Sequence, residues 1–392
     1  MPWKETTKME LKAEFVMLAD QPNANMSQLC RRFDISRPTG YKWLRRYRAE
    51  GLAGLAERPR RPHSSPNKTP AAIEALVVEA RRRDPGWGGR KLRCHLRNQA
   101  KSRAIEAVPA QIPSASTITR ILDRHGLLGA PENPSRRGRW QRFERARPNA
   151  LWQLDFKGEF RLANRAYCYP LTLVDDHSRF SLAVAACPDQ RRQTVQGHLE
   201  QVFTRYGLPE AILTDNGPPW GAGLGWRDWG PFYTGGAVWW MRLGIRVIYG
   251  RPNHPQGKGK NERFNRTLGD ELLAHQQFAD HRQAHHYMSD WRVRYNTVRP
   301  HQALDMAPPA ARYQPSDRAF PEQLPPVAYS DAAATRKVTS QGKISFRGQR
   351  FTVGKAFSGY RLALRASSQP DTYEIYFCHQ QIRTITLHQN AN

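Results

Sequence analysis

Three acidic residues lie where a predicted strand or helix begins or ends. Asp155 is in the short β-like run WQLDF, Asp215 ends the run AILTDNG, and Glu262 follows a Gly-rich loop where helical spacing starts. Such positions can meet at one edge of a sheet, where carboxylates repel each other unless a cation lies between them. Hard oxygen ligands suit Mg²⁺ or Mn²⁺. Two such ions could clamp the attacking and leaving oxygens of a phosphoryl transfer. The alternative is a set of turn-capping Asp residues and a surface Glu.

Basic residues surround Glu262 in the stretch HPQGKGKNERFNRTL, namely Lys258, Lys260, Arg263 and Arg266. Gly259 allows close approach of the backbone to a ligand, and the helix N-terminus adds free N–H groups and partial positive charge. We therefore interpret the acid as a metal ligand and the cations as contacts to the phosphates on which the metal acts. The alternative for the two lysines is a solvated loop.

The acids are predicted to lie on an α/β domain that spans residues 150–305. The runs LWQLDFKGEF, CYPLTLVDD, SLAVAAC, EAILTDNG and IRVIYG are bounded by turn residues, which is typical of strands. The run TVQGHLEQVFTRYG has apolar residues at helical spacing. One mixed domain thus holds all three acids, Asp155 within a strand, Asp215 at the end of another strand and Glu262 at the start of a helix.

The charge of the chain indicates a polyanionic partner. The 392 residues carry a net charge of +27, and residues 1–150 contribute 31 basic and 14 acidic side chains. Nucleic acid is the usual partner of so basic a protein. No apolar run reaches the length of a membrane-spanning helix, and the N-terminus has no apolar secretory segment. Five scattered Cys without a CxxC pair argue against a zinc ribbon and suit free thiols in a reducing compartment, so we expect a cytoplasmic protein.

A helix-turn-helix is predicted over residues 1–55. Two short amphipathic helices flank the turn DISRP, and Ser36 and Pro38 suit the cap and first turn of the second helix. The residues of this second helix that we expect to contact DNA are Arg37, Tyr41, Lys42, Arg45 and Arg46. The alternative is a small helical bundle with a solvated basic face.

Composition shifts divide the rest of the chain. We predict a basic linker at 56–70, a second helix-turn-helix-like domain at 71–133, a second basic linker at 134–149, a Pro-rich linker at 306–334 and a small C-terminal β-barrel at 335–392. The fold class is thus multidomain, with all-α N-terminal domains, a central α/β core and a C-terminal β domain.

Five motifs carry a resemblance to a known family: WQLDF, LTLVDDHSRF, ILTDNGPPW, HPQGKGKNERFNRTL and YNTVRPHQAL. They resemble the integrase core of bacterial insertion-sequence transposases of the DDE superfamily, which has an RNase H-like fold. The resemblance implies a catalytic triad of Asp155, Asp215 and Glu262, in which the two Asp share one metal and Glu262 completes the second-metal shell. It also implies that the DDHSR turn, with Asp175 and Asp176, is structural.

One segment departs from that pattern. Asp215 and Glu262 are separated by 46 residues, more than in many relatives, and the excess falls in the Trp-rich segment 217–236. It could be a loop packed on its own Trp residues or a stacking platform for flanking DNA.

The resemblance implies an enzyme that binds the terminal inverted repeats of a mobile element, cleaves its 3′ ends with two Mg²⁺ or Mn²⁺ ions and joins them to target DNA. Pairing two DNA ends implies at least a homodimer. The rival interpretations are a non-catalytic DNA-binding regulator that retains an integrase-like core, and a simple nuclease.

Overall fold

The computed structural model describes residues 7–58, 68–102, 112–128, 144–221, 233–250, 259–330 and 333–387. The chain divides into two units, residues 1–68 and 69–392. Lys258 and residues 222–232 of the Trp-rich segment, for which predictions were made above, lie outside the described residues. None of the helices in the described ranges is both long and apolar enough to span a bilayer.

The first unit contains the predicted helix-turn-helix, with helices α1 (Lys8–Ala19), α2 (Met26–Arg32) and α3 (Arg37–Glu50). The side chain of Ser36 caps α3 by accepting from the Thr39 N–H, as the sequence predicts. Gly40 lets α3 approach α2, since a Cβ atom there would lie 2.7 Å from Cys30 Sγ. The unit has its own apolar core, built from Phe15, Val16, Ala19, Cys30, Trp43, Leu44 and Leu55.

A second three-helix domain opens the larger unit, with α4 (Ala71–Arg83), α5 (Gly89–Lys101) and α6 (Ala115–Arg124). Ser114 caps α6 by accepting from the Thr117 N–H. Gly89 allows α5 to pack closely on α6, because a Cβ atom there would lie 2.4 Å from the Ala115 carbonyl oxygen. The core of this domain includes Val77, Trp87, Leu92, Leu96, Ile118, Ile121 and Leu122.

The central domain is a mixed sheet covered by helices. Its strands are β1 (Trp152–Phe156), β2 (Phe160–Arg161), β3 (Tyr167–Asp175), β4 (Ser181–Cys187), β5 (Ala211–Thr214) and β6 (Arg246–Tyr249). The strand order is β2-β3-β1-β5-β6, with β4 also paired to β3. Strands β1, β5 and β6 are parallel, and β3 is antiparallel to β1 and β4. The helices are α7 (Arg192–Tyr206), α8 (Gly235–Arg242), α9 (Gly259–Leu268) and α10 (His281–Thr297).

The two faces of β1 have different neighbours. Trp152 and Leu154 are fully buried in the core cluster that also holds Phe203 of α7 and Trp239 of α8. The intervening residues of the strand face α9, which packs on β1 and β3. On that side Phe264 of α9 meets aromatic residues of α10 in a second core cluster. The sheet is therefore covered on both faces.

Residues 306–330, predicted as a Pro-rich linker, lie along the central domain. The Tyr313 ring stacks on Phe180 with centroids 4.2 Å apart. The guanidinium of Arg318 donates to the carbonyl oxygens of Pro209, Leu243 and Gly244. This segment has no regular element longer than a 3-10 turn, yet side-chain stacking and backbone contacts hold it to the sheet domain.

The C-terminal region is a β domain, but the predicted closed barrel is not confirmed, because its sheets are open. Its strands are β7 (Ala334–Lys337), β8 (Lys343–Phe346), β9 (Gln349–Thr352), β10 (Arg361–Ala366), β11 (Thr372–Phe377) and β12 (Gln380–Thr386). They form a four-stranded sheet of order β12-β11-β10-β7 and a separate β8-β9 hairpin. A closed barrel would bury the apolar face of the sheet in its interior. Here the hairpin covers that face instead, because Ile344 and Phe346 pack with Leu362 and Ile375 of the sheet.

Candidate catalytic site

Two of the predicted catalytic acids lie side by side at the ends of adjacent parallel strands. In the β1–β5 register Gln153 lies opposite Leu213. Two residues further along, the register brings Asp155 level with Asp215, and neighbouring strands are about 4.8 Å apart. Asp155 is half-buried within β1, whereas Asp215 is exposed just after β5. The ends of these two strands therefore carry two carboxylates, of which Asp215 is the exposed one.

Helix α9 carries the third acid and is tied to β1 by hydrogen bonds. Glu262 is exposed in the first turn of α9. Three residues later, the buried Asn265 donates from Nδ2 to Asp155 Oδ2 at 3.0 Å and accepts from Thr172 Oγ1 at 3.0 Å. Residues three apart on a helix are neighbours. The turn that carries Glu262 is thereby held beside Asp155.

Asn265 was not among the site residues predicted from the sequence. Its signal was present in the buried face of α9, where Asn261 and Asn265 lie at positions i and i+4 between Phe264 and Leu268. Two amides on an apolar helix face need buried polar partners. The backbone N–H of Asn261 donates to Gln153 Oε1 at 3.2 Å, on the same strand face as Asp155.

The donor chemistry of this edge fits a hard divalent cation, since it offers carboxylate oxygens. Beside Asp215, the buried Asn216 Oδ1 has no hydrogen-bond partner among the described residues, while its Nδ2 donates to the Gly250 carbonyl oxygen at 2.8 Å. An acceptor of this kind could receive a hydrogen bond from a water molecule that is a ligand of the metal ion. Within the described ranges no group of three or more His, Cys, Asp and Glu side chains is close enough to hold a metal ion.

The DDHSR turn has the structural role that the sequence analysis gave it. Asp175 accepts hydrogen bonds from the N–H and Oγ of Ser178, at 2.7 and 2.6 Å, and from the Asn149 N–H. Burial raises the pKa of Asp175, while these hydrogen bonds act in the opposite direction. Arg179 pairs with Glu144 at 2.6 Å. These contacts occupy Asp175 and leave it out of the acid pair at the strand ends.

Lys260, expected to contact DNA, has a protein partner in the structure. Its Nζ lies 2.5 Å from Oδ2 of Asp176, whose side chain is only 1% exposed. Burial lowers the pKa of Lys260, and the hydrogen bond to Asp176 acts in the opposite direction. The ion pair anchors the start of α9 to the DDHSR turn. Arg263 and Arg266 are exposed on α9, and their contacts to DNA stay a prediction.

Helix α3 presents its basic residues to solvent. Arg37, Tyr41, Lys42 and Arg45 are exposed, and Arg46 is half-buried beside the Trp43 ring. Positions 37, 41 and 45 are four residues apart, so they follow one face of the helix. This is the face expected to enter a DNA groove, and that contact also stays a prediction.

Trp220 belongs to the core. It is 4% exposed and stacks on Phe156 and Trp240 with centroids 5.5 and 6.2 Å apart. Trp220 therefore packs against rings outside its own segment, and its buried ring cannot serve as a platform for DNA bases.

A charge cluster fixes the second helical domain to the far end of α9. A π-helical segment, Gly269–Leu273, follows α9 and carries Glu271. Glu271 pairs with Arg299 at 2.9 Å and with Lys91 of α5 at 3.7 Å. The side chains of Glu271 and Arg299 are each only 7% exposed. Asp84, at the end of α4, receives two hydrogen bonds from Arg294 of α10. Burial, with help from Arg299, lowers the pKa of Lys91 to about 8.

Comparison with known families agrees with this domain order. Residues 145–255 and 243–309 each match an integrase core domain, and residues 333–392 match the C-terminal domain of IS481 family transposases. Residues 11–63 match a helix-turn-helix domain, and residues 39–122 match a homeodomain-like domain.

Individual relatives come from insertion elements and retroviruses. An uncharacterized 39.2 kDa protein of insertion element IS476 from Xanthomonas euvesicatoria is 29% identical over 273 residues, 67% of this chain and 70% of that protein. An uncharacterized 31.7 kDa protein of IS407 from Burkholderia multivorans is 23% identical over 67% of this chain and 88% of its own length. The Pol polyprotein of feline endogenous virus ECE1 is 29% identical over 187 residues, 45% of this chain but only 16% of the polyprotein.

Proposed function

We propose that this chain binds the terminal repeats of a mobile element and cleaves and joins DNA at Asp155, Asp215 and Glu262. In this proposal it acts as a bacterial insertion-sequence transposase of the DDE superfamily, with the integrase core, helix-turn-helix and C-terminal domains of such an enzyme. The observation that supports this most directly is the β1–β5 register, in which Gln153 lies opposite Leu213, so that continuing it by two residues aligns Asp155 with Asp215. The hydrogen bond from Asn265 then holds the turn of Glu262 beside Asp155.

The three carboxylates would hold Mg²⁺ or Mn²⁺, two ions in the complete site. When bound, such ions supply an activated water and stabilise the charge on the leaving oxygen. The chain's own residues orient the ligands. Asn265 fixes one oxygen of Asp155, and Thr172 fixes Asn265 in turn. Orientation by such supporting hydrogen bonds tunes ligand affinity strongly.

The reaction has two phosphoryl transfers at the same acids. Water first hydrolyses the phosphodiester at the element's 3′ end, and the freed 3′-OH then attacks a target phosphodiester. Each step exchanges one P–O bond for another, so no covalent enzyme intermediate is required. Catalysis of such steps rests on positioning and charge stabilisation. The exposed Arg263 and Arg266 on α9 supply positive charge beside the acids.

DNA-end recognition is assigned to the first unit, where α3 exposes a row of cations and Tyr41. Lysine and arginine contacts to phosphates release condensed counterions, so affinity should fall steeply with salt. Joining two element ends requires two such chains at one synapse, and the functional form would be at least a dimer.

The decisive experiment replaces each acid by its amide in the full chain. We expect Asp155→Asn, Asp215→Asn and Glu262→Gln to abolish Mg²⁺-dependent nicking and joining while retaining end-DNA binding, because amides cannot balance the metal charge. Asp270→Asn is the matched control, since it removes an exposed acid just beyond α9. Near-normal nicking by any of the three amide variants contradicts the assignment. Nicking without joining in the unmodified protein favours a simple nuclease, and binding without either favours a regulator.

A further inference from the structure

Strand β1 and helix α9 meet through residues that are matched in spacing. Gln153 and Asp155 lie two apart on one strand face, and Asn261 and Asn265 lie four apart on one helix face. Two residues of a strand and four residues of a helix both span about 6–7 Å. Each strand residue therefore meets its own helix residue, Gln153 with Asn261 at 3.2 Å and Asp155 with Asn265 at 3.0 Å.

The same spacing continues to a third pair, Lys157 and Gly269. The Lys157 N–H donates to the Pro170 carbonyl oxygen at 3.0 Å, which extends the strand ladder past β1. A Cβ atom on Gly269 would lie 3.3 Å from Lys157 Cε and 3.4 Å from Nζ. The lysine side chain thus lies across the glycine. Gly269 is seven residues after Glu262, or two helical turns along the same side of the helix.

The third pair differs from the first two because no hydrogen bond joins Lys157 to Gly269 in the structure, and Gly269 has no side chain. The half-buried Lys157 forms no ion pair with an acid among the described residues. Its side chain lines a cavity of about 240 Å³, together with Arg161, Glu159, Gln276 and Gln277. Arg161 is already engaged, since it donates to Tyr167 Oη at 3.0 Å. The ammonium of Lys157 is therefore a cation of this wall that no acid neutralises among the described residues, and Arg161 differs from it by its hydrogen bond to Tyr167.

We propose that Lys157 binds a backbone phosphate of the DNA strand held at the catalytic acids. This rests on the proposed function. Lys157 and Asp155 lie on the same strand face about 6.6 Å apart along the strand. The phosphate bound by Lys157 is therefore a neighbour of the reacting phosphate and is not the reacting phosphate itself. A glycine at 269 keeps the approach open, because a larger side chain would meet the lysine.

The test compares Lys157→Gln and Lys157→Arg in the full chain, with Arg161→Gln as the control that removes the same charge from the same cavity. The probes are duplexes from the element ends, each with one phosphate replaced by a neutral methylphosphonate. We expect Lys157→Gln to raise the Kd and the KM for joining about tenfold, the usual scale of one charge-assisted hydrogen bond. Lys157→Arg should restore most of the loss, and Arg161→Gln should resemble the unmodified protein.

The methylphosphonate series identifies the contact. At one phosphate beside the scissile bond, neutralisation should weaken the unmodified protein and have no further effect on Lys157→Gln. If the two losses add at every phosphate, or if Lys157→Gln binds and joins as the unmodified protein does, the proposal is wrong while the acid assignment stands. If Asp155→Asn still joins DNA, the proposed function fails, and the Kd series alone then decides whether Lys157 contacts phosphate.

Discussion

The two helical domains in the N-terminal third of the chain are built alike but are held by different forces. Each has three short helices, a capping Ser before its last helix and one apolar core. Residues 7–58 belong to a unit of their own, and their ion pairs are surface pairs such as Asp20 with Arg48. The domain of α4–α6 belongs to the larger unit and is attached by the nearly buried Glu271 and Asp84.

This difference separates two tasks. A domain with its own core and an exposed basic helix can engage DNA through that helix. A domain fixed at Glu271, nine residues after Glu262 along the same helical run, is attached to the helix that carries Glu262. We expect the first domain to contribute affinity and the second to contribute alignment of bound DNA with the acids.

The largest effect should come from Glu271→Gln, which leaves Arg299 and Lys91 without their counter-charge. Removing one partner of a buried ion pair costs about 3–5 kcal/mol. Hydrogen exchange should therefore speed up across α4–α6 and the end of α10, and stay unchanged across α1–α3. The urea midpoint of the larger unit should fall in parallel.

The matched control is Glu74→Gln. Glu74 also lies in the second domain, but its partner Arg124 is 54% exposed, so only a small change is expected. Equal losses for the two variants would mean that Glu271 has no special role in docking.

The strands and turns that carry the three predicted acids could be recognised in the sequence because strand alternation and turn residues are local signals, while the catalytic role of the acids stays a prediction. Sequence reasoning also identified the caps of α3 and the structural DDHSR turn. Lys260 was predicted to contact a DNA phosphate. A lysine beside a glycine-rich loop gives no sign in the sequence that its partner is the buried Asp176, which lies 84 residues away. The open C-terminal sheets and the docking through Glu271 were unpredictable for the same reason, since both depend on long-range packing that has no periodic signature.

A smaller loss of stability should follow when the pH is lowered. Burial, with help from Arg83, lowers the pKa of His95 to about 4, and burial lowers the pKa of His301 to about 2. The unfolded chain takes up these protons near pH 6.5 and the folded unit does not, so stability is full above pH 6.5 and declines as the pH falls toward 4. Each histidine contributes at most about 1.4 kcal/mol per pH unit.

Residues 7–58 contain no histidine, so the comparison predicts that α4–α6 loosen between pH 6.5 and 5 while α1–α3 keep their exchange protection. His95→Gln should flatten the response of the second domain. A pH response of the same size in both domains would show that buried histidines do not distinguish them.

The smallest effect should come from the surface pair of the first domain. Arg48 Nε lies 2.7 Å from Asp20 Oδ1, but the two side chains are 62% and 41% exposed. A double-mutant cycle with Asp20→Ala and Arg48→Ala should give a coupling of about 0.2–1 kcal/mol, and salt should reduce it because exposed charges are screened. The measurement is urea unfolding of the full chain followed by hydrogen exchange in α1 and α3. A coupling as large as the loss in Glu271→Gln would mean that the first domain also depends on its ion pairs. A small, salt-sensitive coupling would leave the apolar cluster around Phe15, Trp43 and Leu55 as the force that holds it.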